Sequence, residues 1–279
     1  MKELFDKVSL ECSKKVTKAY STSFSSALKM LAPHIQGPIY AIYGFVRLAD
    51  EIVDSFHKYN KEELLNEFES DLANALKRKI SLNPILNAFQ HVVHEYGIEQ
   101  ELIDAFLLSM RNDLHKSTYH TQEDYDSYIY GSADVIGLMC LKVFVQGDNE
   151  TYNLLKPYAM SLGSAFQKVN FLRDIKDDNE ILNRSYFPNI DTNNLNFNSK
   201  QDIIKDIEQD FTNAFIGVKL LPTDARFGVY TAYLYYRRLL GKLKNTAAED
   251  ILNSRIRVSN PIKIVLLVKA FVNYKLNIL

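Results

Sequence analysis

A chain of 279 residues with 47% hydrophobic content can bury a substantial core, as one large domain or as two small ones. Its formal net charge of -1 lacks the basic excess that nucleic-acid recognition requires, so no nucleic-acid partner is expected. Two cysteines, Cys12 and Cys140, show no pairing pattern, which excludes a disulfide scaffold and fits a reducing compartment, the cytoplasm by default.

Only 10 Gly and 7 Pro punctuate long stretches of helical periodicity, and strand-like alternation is scarce, so the fold class expected is all-α. The amino-terminal "MKELFDKVSLECSKK" carries charges throughout and has no apolar core, unlike a secretory signal. Periodicity predicts helices over 3–30, 36–56, 61–78, 82–95 and 98–118, with a turn at "LAPHIQGP" where Pro33 and Pro38 fall. His91 with His94, and His115 with His120, lack a third ligand, so no zinc site is expected. The next helix, 122–147, contains "YIYGSADVIG", whose Gly131 and Gly137 suit close helix packing and whose Asp134 has no assigned role. A helix over 149–180 is followed by an irregular, Asn-rich segment, 183–200, placed as a rim or lid. In the helix over 200–219, Asp202, Asp206 and Asp210 recur every four residues beside Lys205, Glu208 and Gln209, which predicts a solvated face. Arg237 and Arg238, in the helix over 223–244, are expected to be exposed. The last helix, 260–277, is apolar but interrupted by Lys269 and Lys275, short of the roughly 20 uninterrupted apolar residues of a membrane span. With Lys263, its composition is compatible with a helix resting on a membrane surface, packing against its own domain being the favoured alternative. No repeat, low-complexity tract or composition shift marks a linker, so residues 1–279 are expected to form a single domain.

Two of these helices carry polar stripes among apolar neighbours. In "FQKVNFLRDIKDDNE", Asn170, Asp174 and Asp178 point within about 60° of Gln167 on a helix, among the apolar residues Phe166, Val169, Phe171, Leu172 and Ile175. In "AIYGFVRLADEIVDSF", Arg47, Asp50 and Asp54 share one face in the same way. Two Asp-x-x-x-Asp pairs facing each other across a bundle would repel unless cations join them. Hard carboxylate oxygens suit Mg²⁺, which keeps several waters and takes up substrate phosphate oxygens, and Arg47 and Arg173 would add fixed positive charge for a diphosphate. On the residues alone, this metal-diphosphate site stands beside structural ion pairs as the alternative. No G-x-x-x-x-G-K-[ST] loop or G-x-G-x-x-G fingerprint is present, so no nucleotide cofactor is expected.

The segments "YSTSFSSAL", "AIYGFVRLADEIVD", "YIYGSADVIG", "QKVNFLRDIKDD" and "RSYFP" resemble, in order and spacing, the signatures of the squalene and phytoene synthases, the head-to-head prenyl transferases, from about Tyr20 to Lys263. The resemblance implies an isoprenoid synthase fold, a helical bundle around a central cavity with Mg²⁺ at its mouth. It implies Mg²⁺ and diphosphate binding by Asp50, Asp54, Asp174 and Asp178, with Mn²⁺ as an alternative ion. Arg47 and Arg173 match the motif arginines, and Gln167 and Asn170 the polar residues before the second motif. Ser21 and Ser23 match small hydroxyl residues near the diphosphate, and Phe24 a pocket residue. Tyr43, Tyr128, Tyr186 and Tyr235 match tyrosines that line the cavity, Tyr128 and Tyr235 standing with the catalytic acids, and Arg255 matches a later diphosphate contact. Ser21, Phe24 and Leu28 share one helical face, with Leu28 about 10 Å deeper than Ser21. Some relatives making C30 products carry a bulky aromatic at the position of Leu28.

The implied reaction joins two prenyl diphosphates through a cyclopropylcarbinyl diphosphate, with loss of protons and no expected NADPH step. "YIYGSADVIGLMCLKVF" looks most like the bacterial phytoene synthases, which implies two geranylgeranyl diphosphates coupled through prephytoene diphosphate to phytoene in carotenoid biosynthesis. Two farnesyl diphosphates giving dehydrosqualene or squalene are the alternative. A non-catalytic assembly relative would be expected to lose motif acids, and all four are present. The expected partners are prenyl diphosphate substrates and peripheral contact with the inner membrane surface, with a monomer as the expected state.

Overall fold

The computed structural model describes residues 1–181, 184–188, 190, 195–276 and 278, and the side chains of all of these but residues 22 and 23. Among them thirteen α-helices form and no strand; Thr118 and Ser185 make one isolated parallel bridge.

The helix predicted over 3–30 divides into α1 (Lys2–Tyr20) and α2 (Thr22–Leu28). Ser21 takes an extended conformation between them, and its hydroxyl accepts the Phe24 N–H at 3.3 Å, a side-chain cap that periodicity does not reveal. α1 lays Ser9, Ser13 and Thr17 against α3 (Pro33–Asp54), where a Cβ on Gly44 would stand 2.9 Å from Ser13 Cβ. Those buried hydroxyls are satisfied locally: Ser9 donates to the Phe5 carbonyl at 2.8 Å and Thr17 to that of Ser13 at 2.9 Å. α3 starts earlier than predicted because Pro33 occupies its first turn, where a missing N–H costs nothing; Pro38 lies inside the helix rather than in the turn.

α4 (Lys61–Arg78) and α5 (Pro84–Tyr96) start at Asn60 and Asn83, whose side chains accept from the first-turn amides. α5 and α6 (Gln100–His115) meet α3 in an aromatic core, where Phe45 of α3 stacks on Phe89 at 3.9 Å and meets Phe106 at 5.3 Å. The predicted 122–147 helix is α7 (Gln122–Ile129), a π-helical turn Tyr130–Asp134 and α8 (Val135–Phe144). This composite is long and apolar enough to cross a membrane, but 67% of its apolar 18-residue stretch is buried, as in a core helix. The close approach expected at Gly131 is real: a Cβ there would lie 2.7 Å from the Ala105 carbonyl oxygen. Asp134 ends the π-turn in the interior, where it accepts the Ser164 hydroxyl at 2.8 Å.

The longest helix, α9 (Asn149–Glu180), lies against α10 (Phe197–Leu220), which the chain follows with α11 (Thr223–Asn245), the short unpredicted α12 (Ala248–Asn253) and α13 (Asn260–Lys275). The acidic run on α10 is not simply solvated. Lys168 of α9, its side chain 9% exposed, reaches Asp206 at 2.6 Å and Asp210 at 2.8 Å, because the two helices pack along their lengths. Arg237 and Arg238 are exposed as expected. Of the predicted rim, residues 183, 189 and 191–194 lie outside the described residues.

Candidate active site

Helices α2, α3, α8, α9, α10 and α11 enclose a cavity of about 300 Å³. Ser21, Tyr43, Gln167, Asn170 and Tyr236 give one end polar atoms, and Leu141, Phe144, Leu155, Val218 and Leu221 make the other apolar. Phe24 stacks on Tyr43 at 4.7 Å and Leu28 continues that wall, so the face predicted for Ser21, Phe24 and Leu28 survives the helix break. Across from them Phe166 stacks on Tyr236 at 3.9 Å, and the Tyr236 hydroxyl donates to Asn170 Oδ1 at 3.4 Å. Burial raises the Tyr43 phenol to about 12, which keeps it neutral and protonated.

The four motif aspartates lie near the polar end, on the last turns of α3 and α9. On α3, Arg47 donates to both Asp50 and Glu51 and lies 4.3 Å over the Tyr20 ring, while its buried Nε–H has no partner among the described residues. Burial and then the neighbouring Asp54 charge push the Asp50 carboxyl well above the usual carboxylate range, against the pull of Arg47 and Arg184. On α9, Arg173 Nε donates to Asp174 Oδ1 at 2.8 Å, and Arg255 Nε reaches the same oxygen at 2.9 Å from the segment after α12. Burial, then the Asp174 charge, raise the Asp178 carboxyl to about 8, with Asp54 adding a smaller push. Asp54 and Asp178 therefore feel each other across the site, as the two stripes predicted.

Among the described residues no three acidic, histidine or cysteine side chains converge closely enough to hold a metal ion alone. Two facing pairs of hard carboxylates nevertheless fit Mg²⁺, whose shell is completed by waters and phosphate oxygens. The unsatisfied Arg47 Nε–H is a donor that a phosphate oxygen would satisfy.

Three tyrosines expected at the cavity are elsewhere. Tyr128 is buried outside the cavity wall, donating to Asp113 Oδ2 at 3.0 Å and stacking on Tyr186 at 5.4 Å. Tyr186 stacks on Phe171 at 3.9 Å and its hydroxyl accepts from Arg184 Nη1 at 3.5 Å, beside the acidic site and outside the cavity wall. Tyr235 is buried outside the cavity wall because one residue turns a helix by about 100°, and the wall position, in register with Gly228, Val229 and Ala232, belongs to Tyr236. Ser23 has a side chain outside the described residues.

Reading the sequence also missed Arg184, Asp113 and Glu51. Arg184, its side chain 7% exposed, pairs with Asp54 at 2.8 Å; it opens the "RSYFP" segment, where Tyr186 alone was singled out. Asp113 lies in no motif, and only burial marks it: desolvation raises its carboxyl to about 7 despite the Arg184 charge.

Comparison with known proteins joins this geometry to a family. The chain is 27% identical to a 15-cis-phytoene synthase of a Synechocystis species over 92% of its own length and 82% of that protein. It is 26% identical to a 4,4'-diapophytoene synthase of Staphylococcus haemolyticus over 68% of its length and 66% of that protein. The crystal structure of a dehydrosqualene synthase with a ligand superposes with a TM-score of 0.85, covering 97% of this chain and 98% of the other at 22% identity, which shows a shared isoprenoid synthase fold. Residues 17–261 match the squalene/phytoene synthase family as a whole, a span that takes in both acidic motifs, the cavity wall and Arg184. A helical bundle with paired acidic motifs at the polar end of an apolar cavity thus belongs to the squalene/phytoene synthase family of prenyltransferases.

Proposed function

We propose that this protein is a phytoene synthase, a single-domain enzyme that couples two geranylgeranyl diphosphates head to head in the presence of Mg²⁺. The observation that carries the C20 reading is the length of the cavity. Its lining residues on α9 extend from Asn170 to Leu155, fifteen residues or about 22 Å of helix. An isoprene unit advances about 5 Å over four bonds of about 1.5 Å, so four units fill that length and three leave its apolar end empty. Each methylene-sized group left without apolar contact forfeits about 0.8 kcal/mol.

The chain's residues divide the work by position. Asp50, Asp54, Asp174 and Asp178 would hold Mg²⁺, which when bound supplies Lewis-acid stabilisation of a departing diphosphate. Arg47, Arg173 and Arg255 orient the diphosphate, with Ser21, Gln167 and Asn170 on the cavity side. Phe24, Tyr43, Phe166 and Tyr236 present aromatic faces to developing positive charge, and the apolar walls below exclude water that would quench it. A C15 reading, giving a C30 product, is favoured by the diapophytoene synthase relative. Incubation of the purified chain with Mg²⁺ and either diphosphate, followed by hydrocarbon extraction, separates them. C40 product is expected; C30 alone overturns the substrate assignment, and no hydrocarbon from either overturns the catalytic one.

The same reading places a monomeric enzyme at the cytoplasmic membrane surface. α13 packs on α11 through Phe271 and Tyr274 against Phe227, yet Ile264, Val265 and Val268 remain 64%, 66% and 57% exposed. Lys263 and Lys269 interrupt that stripe, a composition suited to an anionic bilayer surface. Cosedimentation with anionic liposomes at low salt is expected, and its absence removes this part of the reading.

A further inference from the structure

Arg184 reaches both acidic motifs, although it follows the helix rather than belonging to it. Its guanidinium Nη1 pairs with Asp54 Oδ1 at 2.8 Å, on α3. Nη2 donates to the Asp113 carbonyl oxygen at 2.9 Å, at the end of α6. Its own backbone N–H donates to the Asp178 carbonyl oxygen at 2.8 Å, on α9. The next residue is fixed as well: the Ser185 N–H donates to the Ser117 carbonyl at 2.8 Å and its carbonyl accepts the Tyr119 N–H at 3.3 Å. One residue thus binds the first acidic motif by its side chain and the second by its backbone, with Ser185 held beside it.

The charges around it give this junction a purpose. Besides Asp54, the Arg184 charge acts on Asp50, Asp113 and Asp178, all carboxylates that burial makes costly to ionise. Arg47 is shared between Asp50 and Glu51, and Arg173 and Arg255 both pair with Asp174; Arg184, which also lies 3.9 Å from the Asp113 carboxylate, is the arginine that pairs with Asp54 and acts on Asp178. A guanidinium is always protonated and carries a fixed planar set of donors, which suits it to hold several oxygen groups at once.

We propose that Arg184 is a positioning residue that supplies, in the metal-free chain, the positive charge between the two acidic motifs, holding Asp54 and Asp178 in register until a divalent cation takes over that charge. The inference rests on the metal-binding reading of the motifs and deepens it. Before metal arrives the acids are already gathered, so loading does not have to overcome their mutual repulsion. On loading, Asp54 exchanges its arginine for the ion, and Arg184 remains anchored through the Asp113 carbonyl and its own backbone.

The test is thermal unfolding of the purified chain in EDTA and in Mg²⁺ without substrate, with Mn²⁺ uptake measured in parallel. Arg184→Gln is expected to lower the midpoint in EDTA by about 6 °C or more, as removal of one partner of a buried pair does in a chain of this size. Mg²⁺ is expected to restore at least half of that loss, and so to shift the variant more than the wild type. In an Asp54→Asn background the same substitution is expected to cost less than half as much in EDTA. An unchanged midpoint, an equal loss in EDTA and Mg²⁺, or a loss indifferent to Asp54→Asn would each overturn the proposal, the latter two by showing a merely structural clamp. Arg184→Lys covers the case in which the glutamine variant does not fold. Keeping the charge, it is expected to fold in EDTA with a smaller loss, recovered in Mg²⁺, and failure to do so overturns the proposal too. A chain that takes up no Mn²⁺ in any variant strikes the metal reading, and with it the inference drawn from it.

Discussion

The two acidic regions of α9 and α10 share one sequence pattern and have different surroundings. Asp174 and Asp178 repeat at four residues, as do Asp206 and Asp210, and both pairs meet cations. On α10 a single lysine, rising from the neighbouring helix, serves both acids at a helix seam away from the cavity. On α9 two arginines converge on Asp174 while Asp178 faces the second acidic helix and is pushed up to about 8. Spacing places acids on a face; the neighbouring helix determines whether that face closes an ion pair or leaves charge available to a ligand.

The largest expected difference is in turnover. Asp50→Asn or Asp174→Asn keeps side-chain volume while removing ligand charge, and each is expected to lower turnover by about 100-fold or more with the fold retained. Asp206→Asn, with the same change at an exposed seam, is expected to stay within about twofold of wild type. Steady-state rates with Mg²⁺ check the contrast, and comparable losses in the two regions would break it.

Chain-length selection is expected to respond next, by about tenfold. Leu28→Phe adds a ring to the cavity wall below Phe24, and overpacking of about 1–3 kcal/mol falls on the tail that reaches deepest. The ratio of C40 formation from geranylgeranyl diphosphate to C30 formation from farnesyl diphosphate is expected to fall by that factor. A ratio that stays constant or moves toward C40 would show that Leu28 does not gauge length.

The smallest effect concerns Asp134, beside the α10 seam, where Ser164 donates to it and Lys168 and Asp210 add opposing charges. Burial raises its carboxyl from 3.8 to about 7. The folded state therefore holds the proton more tightly than the unfolded state, and stability falls as pH rises through that window. Asp134→Asn keeps an acceptor for Ser164 and does not titrate. Thermal midpoints near pH 5 are expected to be similar for the two proteins, with the variant higher by a few degrees near pH 8. An advantage for the variant that does not grow with pH would remove the titration of Asp134 as the cause.

The sequence by itself determined the all-α class, most helix positions and the two acidic stripes, because a helix's apolar and charged faces follow from period and residue type. It also placed Gln167 and Asn170 on one face with Asp174, and the family resemblance, not the period, pointed to Tyr43 as a cavity residue. Whether a neighbour completes that face was decided by the tertiary structure. Tyr235 and Tyr236 differ by one step in sequence and by about 100° in direction, so only helix packing identifies the cavity residue. Asp113 and Arg184 are 71 residues apart and belong to no shared period. Their contact depends on residues 184 and 185 lying beside the segment after α6, where backbone bonds between Ser185 and both Ser117 and Tyr119 hold them. Lys168 is likewise one lysine among many until α10 lies against it and surrounds its ammonium with two carboxylates. Local periodicity thus sets which way a side chain points, and long-range packing sets what it meets.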